Sequence, residues 1–598
     1  MQKDINRMIV SVGHAMNKCS AGLVTLLVLL AGLGGGTCGA AMSGINMTKH
    51  NLSVTGPGPI KALSETRICI FCHTPHNAAP MTPLWNRDVS PRSYELYSST
   101  TMVAGVSQPM GPSRLCLSCH DGTVALGTVL HPSEGIAVSG AITSGMSSYI
   151  GSLAYDHPIS FSYYAAASDP QIRAAPPPNL TLYGQGNIEC STCHDPHDDR
   201  YGMFLVMDNR GSALCIECHD MKDWDLCAHK TSLKTLPAPL SGLEWTNWTT
   251  VADYGCEGCH VMHNAGGQQR LLRYQEEEQN CYDCHNGTVA DNVYSEFQKT
   301  SRHPVELTTG IHQPNESPTE DNGNHVECVD CHDPHAVNGN GPIQPGGVSG
   351  MTQDVNGMDM TRSAVEPAVY QYQICFKCHA SLNPTLAFIT RWESTTNMQA
   401  AFDVSNRSYH PIEAPGHNTD VPSLISVTQT VPALNLTTSS VIYCTDCHDS
   451  DDSSALPTNS GPRGPHGSIY PPILRERYST TISLSYSAGL YALCYRCHSS
   501  TSIMNNDSFK QTLNTSTGLY EGGHSGHLQA GVPCSVCHDP HGVSDNYDLI
   551  NFDTHYVDGP SAGVPPAFTT APGTHSGSCT LVCHMPSGDI THSNASYP

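Results

Sequence analysis

Mostly irregular backbone with short α-helices and few strands, drawn out into an elongated array, is the fold class this sequence predicts. Three observations predict it. Long periodic apolar patterns are scarce along the 598 residues. Hydrophobic residues reach only 38%, while 52 Gly and 42 Pro interrupt the chain, so an ordinary apolar core is hard to bury. One short string of cysteine and histidine recurs twelve times between Cys69 and His584, which implies that something other than apolar side chains fills the interior.

The N-terminus reads as a signal peptide over residues 1–41. Lys3, Arg7 and Lys18 give a positive start, Leu23 to Leu33 an apolar stretch, and Gly39, Ala40 and Ala41 a small-residue cleavage region. The apolar stretch is too short to span a bilayer, which takes about 20 residues. A lipidated N-terminus at Cys38 is the competing reading. No other long apolar run follows. Losing residues 1–41 removes three basic residues and one acid, taking the formal charge from −25 to −27. That single-sign field disfavours nucleic acid and suits cationic partners or plain solubility.

Eleven of the recurring strings read Cys-x-x-Cys-His. Their cysteines are Cys69 and Cys72, Cys116 and Cys119, Cys190 and Cys193, Cys215 and Cys218, Cys256 and Cys259, Cys281 and Cys284, Cys328 and Cys331, Cys375 and Cys378, Cys444 and Cys447, Cys494 and Cys497, and Cys534 and Cys537. The twelfth, Cys579 to Cys583, has one extra residue between its thiols. Chance would give about 0.07 such strings at this composition, and Cys-x-x-Cys-His is the attachment signature of c-type haem. Two thiols form thioethers with the haem vinyls and the next residue ligates iron. A zinc knuckle or a redox dithiol would explain one isolated string but not twelve in an exported chain. These strings use 24 of the 27 cysteines, so no disulfide framework is expected; Cys227 alone stays outside the motifs and the leader, and reads as a buried thiol. The sequence thus predicts a haem-cored array holding twelve covalently attached haems c.

The proximal ligands are then His73, His120, His194, His219, His260, His285, His332, His379, His448, His498, His538 and His584. The motifs come in pairs, and repetition at this scale marks an array. The spacing partitions the mature chain into 42–173 (haems 1–2), 174–315 (haems 3–6), 316–435 (haems 7–8) and 436–598 (haems 9–12). Linkers are expected at Ala174–Asn179, Gln313–Gly323, Gly339–Gly350 and Ser453–Gly467. Short helices should carry each motif. Further helices are expected over Tyr470–Tyr478 and Phe388–Met398, and strands within Ile425–Val441.

The sixth ligand decides function: a second His closes the iron, whereas an open position permits catalysis. Five strings carry a second His three residues on, at His76, His197, His263, His335 and His541. Residues three apart on a helical turn share a face, so both cannot reach one iron from opposite sides. Each second His must therefore serve a different haem, and the segment clamps two haems together. His-Pro steps add His157, His303 and His410 as candidates, with His131 fitting less well. His50, His229, His466 and one of His524 and His527 fall where their pairs lack a ligand. His312, His325, His417, His555, His575 and His592 are reserves.

The strings CTDCHDS, GPHGS at Gly464 to Ser468, LCYRCH, CSVCHDPHG, LINFD at Leu549 to Asp553 and SCTLVCH resemble the multihaem c-type cytochromes with doubled CxxCH motifs found in metal-reducing bacteria. The resemblance extends more loosely back to Cys69. It implies bis-His haems arranged as a wire, electron transfer at or beyond the outer membrane, and no substrate chemistry. The implied partners are other c-type cytochromes, an outer-membrane porin, extracellular metal oxides or other acceptors, or further copies in a homopolymer, with His592 or His50 as a ligand lent to a neighbour. The implied location is the outer-membrane surface or the extracellular space, with the periplasm as the alternative. The competing function is a multihaem reductase of a small oxyanion such as nitrite, with one open haem site. A third reading, a structural filament or adhesin, would use haems only as staples.

Overall fold

The computed structural model describes residues 44–80, 83–237, 247–306, 326–381, 389–395, 397–425, 436–453, 462–509, 513–514, 519–520, 523–570 and 577–597. The leader with Cys38, the Gln313–Gly323 linker, and His312, His325 and His575 lie outside these residues, as does most of Ile425–Val441.

Among the described residues irregular backbone dominates, with short helical segments and small sheets, and no barrel. The longest described helices, Gly111–His120 and Gln371–His379, each end on a motif histidine. Five two-stranded ladders are only two residues long per strand. Buried apolar side chains gather in small separate clusters; the largest unite Met358, Tyr372, Phe376 and Phe402, or Val532, Val536, Phe552 and Leu581. Among the described residues, no helix is long and apolar enough to cross a membrane.

The chain divides into two compact units. One comprises residues up to Asp88, Val124–Ala141 and Cys193–Met207; the other comprises Val89–Thr123, Ile142–Thr192 and Asp208–Pro598. In the first, Arg87 is fully buried and its guanidinium donates to the carbonyls of Leu126 and Ala125. In the second, the one larger sheet among the described residues lies near the C-terminus. It orders β1 (Val557–Asp558), β3 (Gly577–Met585) and β2 (Ala567–Thr570), and β4 (Gly588–Tyr597) also pairs with β3.

Three sequence expectations need correction. Tyr470–Tyr478 is not helical: Pro471 and Pro472 each lack an N–H and form a turn, closed where Leu474 N–H donates to the Tyr470 carbonyl. Residues 389–395 are also non-helical; a helix begins only at Met398, where the Asn397 side chain caps it. The twelfth motif, expected on a helix, lies on strand β3.

Candidate haem sites

Eleven motifs share one local structure. Each starts on a helical or 3-10 turn, as at Cys69–Phe71, Cys190–Cys193, Cys328–Asp330 and Cys534–Cys537. The histidine N–H donates to the carbonyl of the first cysteine, for example His73 to Cys69 at 2.8 Å, His260 to Cys256 at 2.9 Å and His498 to Cys494 at 3.0 Å. That i to i−4 bond puts the two sulfurs, three residues apart, on one face with the imidazole beside them.

In five motifs a returning loop then holds the histidine. His73, His194, His260, His448 and His538 form antiparallel bridges with Trp85, Leu205, Leu272, Leu474 and Ile550. The residue just before each bridge partner is Leu84, Phe204, Leu271, Ile473 or Leu549, and all five adopt a left-handed conformation with φ between 52° and 60°. Bulky side chains avoid that region, so the same strained turn recurring five times marks a functional constraint. Its effect is visible one residue earlier. The carbonyls of Pro83, Met203, Arg270, Pro472 and Asp548 each accept from Nδ1–H of the motif histidine, at 2.7 to 3.0 Å. His120 and His332 reach the carbonyls of Ser148 and Met351 in the same way. A carbonyl can only accept, so Nδ1 carries the proton and Nε2 presents its lone pair, the tautomer that a metal-ligating histidine needs.

Cations fix the turns themselves. Arg173 donates to the Ile216 carbonyl, Arg273 to Glu257, Lys377 to Asp330 and Arg391 to Ser535, in each case to a residue between the two cysteines. Arg391 also donates to the carbonyls of Asn551 and His538.

The decisive geometry is between imidazoles. Two imidazoles on opposite sides of one iron, each nitrogen about 2 Å from it, place their ring centroids about 6 Å apart. Eight of the twelve motif histidines face a second imidazole at that separation. His73 faces His197 at 6.2 Å, His219 faces His157 at 6.4 Å, His260 faces His335 at 6.2 Å and His285 faces His229 at 6.3 Å. His332 faces His466 at 6.0 Å, His379 faces His303 at 6.3 Å, His448 faces His541 at 6.3 Å and His538 faces His524 at 6.1 Å. His410 is an electrostatic neighbour of His498, whose Nδ1 hydrogen-bonds Ser423 at 2.9 Å. The residues therefore fit haem iron held between two imidazoles.

The CHDPH strings explain how one segment serves two sites. The Asp195, Asp333 and Asp539 carboxylates accept from the N–H of His197, His335 and His541, an Asx turn that aims the second histidine away from its own motif. The intervening proline carbonyl accepts from another histidine: Pro196 from His50, Pro334 from His229 and Pro540 from His410. Pro465 receives His303 likewise, just before His466. The second histidines of consecutive motifs are thereby tied together, as His335 with His229, His466 with His303, and His541 with His410. His263 donates Nδ1–H to Asp156 at 3.0 Å, where it forms an ion pair when protonated. His76 is exposed, and among the described residues no imidazole faces it.

Burial pushes His219, His260, His285, His379, His498 and His541 down to about 4. They are neutral at pH 7, the form that ligates metal.

Sulfurs link the motifs in sequence order. Cys116 contacts Cys190, Cys215 contacts Cys256, Cys281 contacts Cys328, Cys375 contacts Cys444 and Cys494 contacts Cys534. Between these junctions Cys259 neighbours Cys281 and Cys284, Cys331 neighbours Cys375 and Cys378, Cys447 neighbours Cys497, and Cys537 neighbours Cys579 and Cys583. From the fourth motif to the twelfth, each attachment point thus adjoins the next.

The twelfth motif differs. His584 is held by two carboxylates, Nδ1 to Asp589 at 2.8 Å and Nε2 to Asp558 at 2.9 Å, and these raise its pKa, Asp589 foremost. Its N–H bonds the Tyr556 carbonyl in the sheet ladder rather than a motif cysteine. Cys227 is buried, with its thiol donating to the Pro334 carbonyl.

Sequence reasoning missed the return-loop residues, the motif-binding cations and Asp156. The one signal available was a pair of large apolar residues eleven or twelve positions after several motif histidines, as in Leu84-Trp85 and Leu549-Ile550.

Residues 184–223 and 249–290 match the family model for the doubled CXXCH motif. These stretches contain the third to sixth motifs. The match supports a multihaem c-type cytochrome, with covalently bound haem c and a part in electron transfer. No curated protein matches the chain.

Proposed function

We propose that this chain is a dodecahaem electron-transfer protein that passes electrons along bis-His haems in sequence order, at or beyond the outer membrane. The observation that carries the proposal is the set of facing imidazole pairs at 6.0 to 6.4 Å. Haem c supplies one-electron redox chemistry when bound.

The chain's own residues do the rest. Two imidazoles per iron leave no position open to a substrate, so the sites carry electrons rather than bind oxyanions. Return-loop carbonyls on Nδ1 strengthen each imidazole as a donor, a lever on potential. From the fourth motif to the twelfth, the neighbouring sulfurs make successive attachment points adjacent, which suits hopping between adjacent cofactors. Acceptors outside the cell, other cytochromes and a porin are the partners this role calls for.

Low-temperature EPR on the intact holoprotein, with a pyridine haemochrome count and intact mass, tests the reading. It requires twelve haems c, one at each motif, and only low-spin ferric signals. A stoichiometric high-spin signal in the unmodified protein would overturn the wire and favour a reductase. His335→Ala should convert one haem to high spin, whereas His76→Ala should convert none.

A further inference from the structure

The twelfth motif places its histidine on a strand, with both ring nitrogens on carboxylates. Along strand β3 side chains alternate between faces. Cys579, Leu581 and Cys583 therefore share one face, and His584 lies on the other. The cysteine face is the buried one: Leu581 is 5% and Cys583 8% exposed. They pack with Val532, Val536, Ile550, Phe552 and Val557, and Cys579 and Cys537 adjoin the same cluster.

A second histidine does lie on the cysteine face. Strand β4 pairs antiparallel with β3, and His592 stands directly opposite Leu581. Directly opposed residues project to the same side of a sheet. The extra residue that shifts the register falls in β4, between the partners of Leu581 and Cys579, so the alternation of β3 is intact. The His592 ring faces His527 with centroids 6.1 Å apart, the separation seen between His538 and His524. His527 donates Nδ1–H to the Gly523 carbonyl at 2.7 Å, leaving Nε2 available. His584 has neither nitrogen available, since both are taken by carboxylates.

Resting on the multihaem reading above, we propose that the haem attached at Cys579 and Cys583 is ligated by His592 and His527, and that His584 is not an iron ligand. Attachment needs no oxidant: each thiol adds across a vinyl group, its sulfur bonding one carbon and its hydrogen going to the other. His584 instead ties β3 to Asp558 of β1 and Asp589 of β4. The helix Gly523–Gln529 then supplies both second ligands of the last two sites, His524 to the eleventh and His527 to the twelfth.

The test uses the full-length holoprotein and the variants His584→Ala, His592→Ala and His592→Met. Haems are counted by pyridine haemochrome and intact mass, and spin and ligation are read by EPR and near-infrared magnetic circular dichroism. The His584→Ala protein should keep twelve low-spin haems. In His592→Ala the low-spin count should fall from twelve to eleven. His592→Met should show a thioether–iron signature at about one-twelfth of the low-spin intensity. Loss of any low-spin haem from His584→Ala, by conversion or by failed attachment, overturns the proposal. So does an unchanged spectrum in either His592 variant, or a wild-type protein with haem at the eleven helical motifs and none at Cys579. A wild-type protein without haem c at any motif would instead defeat the multihaem reading itself.

Discussion

The eleventh and twelfth motifs set two cysteines and a following histidine on opposite backbones. At Cys534–Cys537 a helical turn gathers both sulfurs and the histidine into one cluster, and that compact turn leaves carbonyls that other residues must satisfy. Arg391 serves two of them, Ser535 and His538, and the return-loop carbonyl of Asn551 as well, with N–O distances of 2.6 to 2.8 Å. At Cys579–Cys583 the sheet satisfies the backbone itself, and no such cation is needed. On a strand, though, cysteines four apart keep a common face only by turning the next residue away. The extra residue between the thiols and the displacement of His584 are therefore one fact: strand geometry parts the cysteines from the following histidine, which a helical turn keeps together.

The largest expected effect breaks this comparison at its helical side. Arg391 is 12% exposed at its side chain. Replacing it by Ala leaves three carbonyls without their charged donor, a cost of about 3–5 kcal/mol. Denaturant unfolding followed at the haem absorbance should show an early transition in Arg391→Ala. Hydrogen exchange should accelerate at Asn551 and Asp553, whose amides donate to Cys537 and Val536. Protection unchanged at both amides would mean that the helical motif, like the strand, holds its backbone unaided.

A middle-sized effect probes how a helical motif directs its second histidine, a task the strand site hands to the separate helix Gly523–Gln529. The Asp333 carboxylate accepts from His335 N–H at 2.9 Å. Asp333→Ala should cost about 1 kcal/mol, the scale of a lost local cap. It should also let an exogenous ligand such as imidazole or cyanide displace His335 more readily. Asp333→Asn retains the acceptor and should behave as wild type. Spectral titration with cyanide distinguishes the three proteins.

How much of this was legible in the sequence follows the same division. The irregular fold with short helices could be read because haem-binding strings, Gly and Pro set it locally. The second histidine in CHDPH could be singled out because residue spacing on a turn is local too. Which imidazole stands opposite which is not local: His466 faces His332 across 134 residues of sequence, and no periodicity encodes that. The same holds for Arg391, whose partners in the eleventh motif lie roughly 145 residues away. The backbone of the twelfth motif was misread for a different reason. A short helix was expected at every motif, but the residues around this one, Thr580-Leu581-Val582 and Ile590-Thr591, favour strands, and β-branched side chains decided the backbone.

The smallest effect sharpens the comparison through its sign. Leu84 occupies the left-handed turn of the first motif's return loop, with φ 60°, and its side chain is exposed. That conformation costs a residue bearing Cβ about 1–2 kcal/mol. Glycine removes the cost, at the expense of about 0.5–1 kcal/mol from its greater freedom in the unfolded chain. Leu84→Gly should therefore stabilise the loop by about 0.5 kcal/mol, since an exposed leucine contributes little burial. The readout is slower exchange of the Thr74 amide, which donates to the Leu84 carbonyl at 3.0 Å. Ile590 is similarly exposed but lies in β4 opposite Cys583, where a β-branched residue fits the strand. There the same change to glycine should destabilise by about 1 kcal/mol. Opposite signs mean that the helical motifs store strain in their return loops to aim a carbonyl at Nδ1, while the strand motif stores none. A destabilised Leu84→Gly would show instead that the left-handed turn is held by contacts of the Leu84 side chain.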